Sequence, residues 1–224
     1  MRMRRKPWAR PELDASDIYI KNPYDYFGAW QSAFAKNQPL HIELGCGKGG
    51  FISQKAAQNP DINFLAFDIK SEVLATAKRN IEAEFSKIGR APENVKLTAF
   101  DIERILLVMG EKDKAQRIYI NFCNPWPKGR HQKRRLTHPR QLEHYKEFLA
   151  PQGEVYFKTD DEGLFEDSLE YFAQSGYSIN FVSYDLAQNP LPENVVTEHE
   201  RMFMEEGKKI KGLIAAYTEI QKDI

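Results

Sequence analysis

Three acidic side chains stand at the ends of apolar runs, and one of them precedes a glycine-rich turn. Glu43 lies in HIELGCGKGGFI just ahead of Gly45 and Gly47, Asp68 closes the run in NFLAFDIK, and Asp101 follows the run in AFDIERI. Glycines allow a tight turn and let a ligand approach the backbone. A carboxylate after a strand can accept hydrogen bonds from ribose hydroxyls or from an adenine amino group. The pattern predicts a site for an adenosine-containing ligand, with Asp68 at the ribose and Asp101 at the adenine.

The glycine turn by itself is ambiguous. Gly45, Gly47 and Gly50 also fit the G-x-G-x-x-G pattern of dinucleotide sites. Glu43 favours a different ligand, because an acid two residues before the turn would repel a pyrophosphate but can organise a cationic amino-acid group. We therefore expect S-adenosylmethionine rather than NAD, with a nicotinamide-dependent oxidoreductase as an alternative. Glu43 or Asp68 alone could instead cap a helix or pair with a lysine.

The most informative segment reads NFCNPWPKGRHQKRR and follows the fourth apolar run. Two prolines stiffen a turn that holds Asn124 and Trp126 where the methyl group of the donor should lie. An amide and an indole there suit a planar base, although Trp126 could also pack in the core. Cationic and hydrogen-bonding side chains follow directly and are suited to RNA phosphates: Lys128, Arg130, His131, Gln132, Lys133, Arg134 and Arg135.

The elements that would position these residues alternate between strands and helices. Strand-length apolar runs occur at 40–44, 63–68, 95–100, 117–123 and 153–158, and helical patterns occur at 71–87, with Ser71 as N-cap, at 138–149 and at 161–174. Such alternation predicts an α/β fold with a doubly wound parallel sheet covered on both faces. Two further runs, 177–186 and 210–218, predict an antiparallel pair at one edge, which makes seven strands.

Charge is balanced overall but unevenly distributed. The chain carries 32 basic and 32 acidic side chains, a balance that by itself argues against a polyanionic partner. Residues 1–11 and 128–140, however, contain arginines and lysines without any acid. Two such stretches can form a polyanion-binding face or a solvated charged surface. We expect residues 1–30, including Trp8, to be a basic N-terminal extension that either folds onto RNA or is a disordered tail, and 31–224 to be a single domain.

Composition narrows the location and excludes some kinds of site. No apolar run approaches the roughly 18 residues of a membrane span, and no apolar stretch follows the basic N-terminus, so we expect a cytoplasmic protein without a membrane partner. Cys46 and Cys123 fall at strand ends and are expected to be reduced and buried. The five histidines are scattered, which argues against a metal site.

Five motifs occur together in the order and at the spacings of one family. These motifs are HIELGCGKGGFI, FDIK, NFCNPWPKGRHQKRR, YFKTD and TEHE. On them the sequence resembles the bacterial tRNA (guanine-N7-)-methyltransferases over nearly its whole length. The resemblance implies a Rossmann-like class I methyltransferase fold, S-adenosylmethionine as methyl donor, and tRNA as partner. It also implies N7 of guanine 46 in the variable loop as the target. A monomer and a homodimer both remain open.

The resemblance also assigns residues to roles. It implies donor contacts for Glu43, Asp68, Asp101 and Asn124, in addition to the turn glycines Gly45 and Gly47. Substrate-binding positions are Lys128, Asp160, Thr197, Glu198, His199 and Glu200. The RNA-contacting segment is Arg130, His131, Gln132, Lys133, Arg134 and Arg135.

Asn124 departs from the family, which usually has an aspartate there with a catalytic role. An amide can orient a base or the donor but cannot take a proton. Guanine N7 carries a free lone pair, so its methylation needs no prior deprotonation. We therefore expect two catalytic residues: Asn124, which orients, and Asp160, which accepts hydrogen bonds from the Watson–Crick edge of guanine. Thr197 and Glu200 are expected to complete that pocket.

Two other functions remain open because of the same turn. NPW resembles the Asn-Pro-Pro-aromatic turn of enzymes that methylate exocyclic amines, although the second proline is missing. The asparagine could also mark a catalytically silent RNA-binding homologue.

Overall fold

A computed structural model describes residues 6–217, and they are organised around one eight-stranded sheet. Its strands are β1 (Tyr19–Ile20), β2 (Leu40–Leu44), β3 (Asn63–Asp68), β4 (Val95–Ala99), β5 (Ala115–Asn121), β6 (Leu149–Thr159), β7 (Tyr177–Ser183) and β8 (Lys211–Tyr217). The spatial order is β1-β4-β3-β2-β5-β6-β8-β7. Strands β1 to β6 pair in parallel, whereas β8 is antiparallel to both β6 and β7. The predicted α/β sheet with an antiparallel C-terminal edge is confirmed.

The seven predicted strands are present, and an eighth was missed. The central strand β2 is buried at every position, and such near-continuous apolar runs are typical of parallel strands covered on both faces. The missed strand, β1, is two residues long, with Tyr19 opposite Leu97 and Ile20 opposite Thr98. Two residues are too few to show an alternating pattern, so β1 exists only through its pairing with β4.

Helices cover both faces of the sheet. They are α1 (Ala9–Asp14), α2 (Gly50–Gln58), α3 (Ser71–Lys87), α4 (Pro139–Lys146), α5 (Glu162–Gln174) and α6 (Glu198–Glu205), and short 3-10 helices span Pro23–Tyr26, Trp30–Ala33, Ile102–Leu107 and Gly129–Arg134. The prediction for 71–87 is confirmed in its bounds, but Ser71 is its first helical residue. Lys70 occupies the cap position, and no side chain caps the helix. The helix predicted for 138–149 ends at Lys146, because Leu149 already begins β6. Helices α1, α2 and α6 were not predicted.

Two apolar clusters form the core, one on each face of the sheet. Helix α3 buries Leu74, Ile81 and Phe85 in one of them. Helices α4 and α5 contribute Tyr145 and Phe165 to the other. Burial of both faces leaves the edge at the strand ends as the place where polar groups can meet.

The described part of the predicted N-terminal extension packs against the sheet. Leu13 of α1 is buried in the same cluster as α3. The indole of Trp30 is buried and donates a hydrogen bond to the Val108 carbonyl at 2.7 Å. The division of the chain at residue 30 stays a prediction, and Arg2, Arg4 and Arg5 lie outside the described residues. Within residues 6–217, no helix combines the length and apolar character needed to cross a bilayer.

Candidate active site

A cavity of about 480 Å³ opens at the carboxyl ends of the central parallel strands. It lies where the chain order reverses between β2 and β5, which is where ligands bind in open α/β sheets. Most of the predicted site residues line this one cavity: Glu43, Gly45, Gly47, Asp68, Asp101, Asn124, Trp126, Arg134, Thr197, Glu198 and His199. Residues as far apart in the chain as Glu43 and His199 thus meet at one edge of the sheet.

The glycine turn after β2 owes its shape to left-handed backbone. Gly47 has φ +53° and Gly49 has φ +75°. A Cβ at Gly49 would lie 2.8 Å from the Cβ of Ala77 on α3, whereas a Cβ at Gly47 would meet nothing within 4 Å. Gly49 therefore lets the turn pack on α3, and Gly47 leaves the cavity wall open to a ligand.

Backbone amides hold the two aspartates in place. Asp68 accepts hydrogen bonds from the Gly47 amide at Oδ2 and from the Lys70 amide at Oδ1, both at 3.0 Å. Asp101 accepts one from the Glu103 amide at 3.1 Å and so begins the 3-10 helix Ile102–Leu107. Each carboxylate oxygen has a second lone pair, so both aspartates can still accept hydrogen bonds from a ligand.

Glu43 is buried at the cavity with only half of its carboxylate paired. The Asn121 amide donates to Oε1 at 3.0 Å, and Oε2 has no hydrogen-bond partner among the described residues. Burial raises the pKa of Glu43 to about 7. The hydrogen bond from Asn121 and the charge of Lys158 lower this pKa, and the charge of Asp68 raises it. An unpaired buried carboxylate oxygen is costly unless a donor reaches it. Sequence reasoning missed Asn121, whose only signal was a polar residue at the end of an apolar run.

The turn after β5 is strained and rigid. Phe122 and Trp126 have φ values of +52° and +41°, which are rare for bulky side chains. The side-chain oxygen of Asn124 accepts a hydrogen bond from the Trp126 amide at 3.2 Å. Such strain is typical of functional sites, where the surrounding structure enforces it. Trp126 lies half-buried at the cavity rather than in the core.

Exposed cations continue from this turn. Lys128, Arg130, Lys133 and Arg134 are exposed. The Arg134 guanidinium lies 5.1 Å from the centre of the Trp126 ring, and the His131 ring lies 5.7 Å from it. The cavity, the indole and the cations therefore form one continuous surface.

Arg135 does not belong to that surface, and its assignment to RNA contact is corrected. Its side chain is 4% exposed, donates to the Pro125 carbonyl at 2.7 Å and forms an ion pair with Asp167. A guanidinium held in this way supports the strained turn from the interior and has few N–H donors left for a phosphate.

The TEHE residues divide between the cavity and the interior. Thr197 caps α6 by accepting a hydrogen bond from the Glu200 amide at 3.1 Å, and the exposed Glu198 and His199 line the cavity. The His199 ring stacks on Phe122 with 6.3 Å between centroids. Glu200 requires a correction, because its buried carboxylate lies 2.7 Å from Lys158 Nζ and faces the interior rather than a base.

Asp160 lies beside the cavity without lining it. It directly follows β6 and is half-buried, and it is not among the described residues that line the cavity. Asn121 is in register with Lys158, so Asn124 and Asp160 leave neighbouring strand ends.

Comparison with known proteins identifies the family. A family model described as "Putative methyltransferase" matches residues 37–213. The chain is 56% identical over 215 residues to a tRNA (guanine-N(7)-)-methyltransferase of Clostridium beijerinckii, covering 96% of this chain and 98% of the relative. It is 54% identical over 220 residues to the enzyme of that name from Ruminiclostridium cellulolyticum, covering 98% and 93%. The chain belongs to the tRNA (guanine-N(7)-)-methyltransferase family.

Solved structures show that this methyltransferase shares its fold with more distant enzymes. The 16S rRNA methyltransferase KamB matches with a TM-score of 0.62 at 14% identity, over 85% of this chain and 93% of KamB. A variant 16S rRNA (adenine(1408)-N(1))-methyltransferase with cosubstrate SAM, from Catenulisporales acidiphilia, matches with a TM-score of 0.56 at 12% identity, over 91% and 94%. The Rossmann-like class I fold is confirmed, and the nicotinamide alternative has no support.

Both cysteines of this methyltransferase line the cavity as free thiols. They lie in the turns after β2 and β5 rather than in the strands, and Cys123 is half-buried where burial was expected. Burial raises the pKa of Cys123 to about 12 and that of Cys46 well above its ordinary value, so both stay protonated. Within residues 6–217, no cluster of three His, Cys, Asp or Glu side chains could hold a metal ion.

Proposed function

We propose that this chain methylates N7 of guanine 46 in the variable loop of tRNA, in the cytoplasm. One observation carries the proposal: the cavity that Glu43, Asp68 and Asp101 enter opens directly onto Trp126 and the exposed cations beside it. A donor site that is continuous with a basic, aromatic surface suits an enzyme acting on RNA. The names of the relatives support guanine N7 and tRNA, and position 46 comes from the family resemblance.

S-adenosylmethionine is the methyl donor of this family and fold, and the residues of the cavity fit it. Asp68 and Asp101 keep acceptor capacity for the ribose hydroxyls and the adenine amino group. Oε2 of Glu43 lacks a partner among the described residues and can receive the cationic amino group. Gly47 offers a wall without a side chain. When bound, the donor supplies a methyl group activated by its positive sulfur.

For methylation at N7 the protein must orient the reactants and does not need a general base. The N7 lone pair forms the new bond to the methyl carbon while the carbon–sulfur bond breaks, and no proton leaves. Holding reactants in line can lower a barrier by about 7 to 11 kcal/mol in favourable models. Asn124, fixed by its bond to the Trp126 amide, is suited to orienting guanine despite its lack of charge.

Asp160 is our candidate for reading the guanine. It leaves the strand end next to that of Asn124, and a carboxylate accepts hydrogen bonds from guanine N1–H and the exocyclic amine. Adenine presents an acceptor at the same ring position, so the carboxylate would reject it. Thr197, Glu198 and His199 border the same cavity, whereas the interior position of Glu200 leaves it out of our proposed base pocket.

The exposed cations are suited to tRNA phosphates. Lys128, Arg130, Lys133 and Arg134 project from the segment after the turn, with His131 and Gln132 between them. Phosphate contacts supply affinity without sequence information. An exposed base can stack on Trp126 while N7 reaches the cavity.

The test is methyl transfer from labelled S-adenosylmethionine to unmodified tRNA, followed by nucleoside analysis. We expect N7-methylguanosine from the natural tRNA and none from a tRNA with adenine at position 46. Asn124→Asp should retain activity, because a carboxylate still accepts the Trp126 hydrogen bond. Asn124→Ala should lose at least about tenfold in kcat, because the turn loses that bond.

Other products would favour the alternatives. A methylated exocyclic amine would identify an amino-methyltransferase, and the NPW turn would then be its catalytic feature. No product from the natural protein, together with activity in Asn124→Asp, would identify a silent RNA-binding homologue.

A further inference from the structure

A buried lysine connects the sheet to the segment that borders the cavity. Lys158 of β6 is 2% exposed, and its ammonium lies 2.7 Å from Glu200 Oε2, 3.1 Å from Asn194 Oδ1 and 3.1 Å from the Val195 carbonyl. An ammonium has three hydrogens, so these three acceptors use its full donor capacity. Lys158 therefore holds three points of one segment at once.

The acceptors place the first turn of α6. Oε1 of Glu200 also accepts a hydrogen bond from the Asn194 amide at 3.0 Å, and the Glu200 backbone amide donates to Thr197. The residues between these anchors, Glu198 and His199, line the cavity. The position of the cavity wall on this side thus depends on a lysine that does not itself line it.

A second buried lysine fixes the same segment further back. Lys55 of α2 donates to the carbonyl of Glu193 at 3.0 Å and to its carboxylate at 3.1 Å. Glu193 has φ +52°, and Arg117 also contacts its carboxylate at 3.1 Å. Lys55 therefore anchors the segment without touching α6, which makes it a matched comparison for Lys158.

Lys158 also lies close to the donor side of the cavity: its Nζ is 5.7 Å from the centre of the Phe51 ring and 6.0 Å from that of Phe122, and both rings line the cavity. Among the charged groups around Glu43, Lys158 lowers its pKa, while Asp68 raises it. Burial lowers the pKa of Lys158 itself and Lys55 acts in the same direction, whereas Glu200 and Glu43 raise it. Lys158 is in register with Asn121, the hydrogen-bond partner of Glu43, whereas the ammonium of Lys55 is held by Glu193, so the two lysines differ in their place relative to Glu43.

We propose that Lys158 is a positioning residue for methyl transfer, which fixes the first turn of α6 at the cavity and supplies the positive charge that acts on Glu43. The proposal rests on the proposed function for its substrate but not for its effect on the donor. A buried ion pair is weak evidence for stability, because apolar residues can often replace it at no cost. Its position between two functional parts of the cavity gives a different reason for its presence.

The experiment compares three variants with the natural protein. Lys158→Met combined with Glu200→Met removes the pair without leaving a buried unpaired charge, so it should fold and melt cooperatively. Lys158→Arg retains the charge. Lys55→Met loosens the same segment and retains both Lys158 and Glu200. Calorimetric titration with S-adenosylmethionine over a pH series around neutrality measures the donor affinity and its pH midpoint. Steady-state kinetics with tRNA measure kcat, which depends on the position of the first turn of α6.

We expect the double variant to bind the donor at least about tenfold more weakly near neutral pH. The pH midpoint of its donor binding should move upward, because Lys158 is the member of the ion pair that lowers the pKa of Glu43, and this effect is lost when both charges are removed. Lys158→Arg should keep the midpoint, and so should Lys55→Met, although both should reduce kcat with tRNA. A merely structural role would weaken binding equally at every pH.

The proposal is overturned if the double variant folds and keeps both the natural pH midpoint and the natural kcat. It is also overturned if Lys55→Met moves the midpoint as far as the double variant does. If the natural protein binds the donor but forms no N7-methylguanosine, the proposed function fails, while the pH midpoint still decides the role of Lys158.

Discussion

The side-chain amide of Asn121 donates a hydrogen bond to Oε1 of the buried Glu43 at 3.0 Å. The two residues lie on adjacent central strands, where a parallel sheet brings its strand ends together. Oε2 of Glu43 has no partner in the described part of the chain. One oxygen of the Glu43 carboxylate is thus held by Asn121, and the other is available to a ligand.

Asn121→Ala should weaken donor binding by about tenfold near neutral pH, because the carboxylate loses a charge-assisted hydrogen bond. That bond lowers the pKa of Glu43, so its loss should move the pH midpoint of donor binding upward from about 7. Calorimetry over a pH series measures both effects. Gln116→Ala, an exposed change on the same strand, is the control. An unchanged affinity in Asn121→Ala would contradict the role of Asn121.

Glu43→Gln should stabilise the free protein at alkaline pH while weakening donor binding. The folded-state pKa of about 7 lies above the ordinary 4.5, so the folded protein holds this proton more tightly than the unfolded chain does. The resulting destabilisation is absent below 4.5 and is complete above about 7, where it amounts to roughly 3 kcal/mol. Urea unfolding at both ends of this window measures it. Exposed Glu111→Gln is the control, and equal stability of Glu43→Gln and the natural protein above 7 would refute the expectation.

Lys133 and Arg135 should respond differently to neutral substitution. Lys133→Gln should weaken tRNA binding and reduce the slope of log affinity against log salt by roughly one, without lowering Tm. Arg135→Met should instead lower the free energy of unfolding by about 1 to 3 kcal/mol, because the Pro125 carbonyl and Asp167 lose their buried partner. Fluorescence binding at several salt concentrations and thermal melts separate the two effects. A reduced salt slope in a stably folded Arg135→Met would return this residue to the RNA surface.

Substitution by alanine should lower the free energy of unfolding more at Gly49 than at Gly47. Gly49→Ala places a Cβ 2.8 Å from Ala77 in left-handed backbone and should destabilise the protein by about 2 to 4 kcal/mol. Gly47→Ala meets no neighbour within 4 Å, so it should cost only about 1 kcal/mol of backbone strain. Its main effect should be on donor affinity, since it narrows the cavity. Denaturant unfolding and calorimetry test the pair, and equal stability losses would argue against this packing of the turn on α3.

The sequence by itself determined the sheet, the glycine turn and the acids at its edge. Apolar period and turn residues report local structure, and residues after parallel strands must share one edge, so Glu43, Asp68, Asp101 and Asn124 could be placed together without coordinates. The linked motifs also identified the family, because their order and spacing are specific to it.

Only the tertiary structure decided which of several like residues face the cavity. Arg134 and Arg135 are adjacent and chemically identical, yet one lies over Trp126 and the other is buried beneath the turn. Glu198 lines the cavity while Glu200 pairs with Lys158. These outcomes depend on contacts between residues far apart in the chain, as does the bond between Glu43 and Asn121, 78 positions apart. A sequence pattern records which face of its own element a residue occupies. The partner on that face depends on the spatial order of the strands in the sheet.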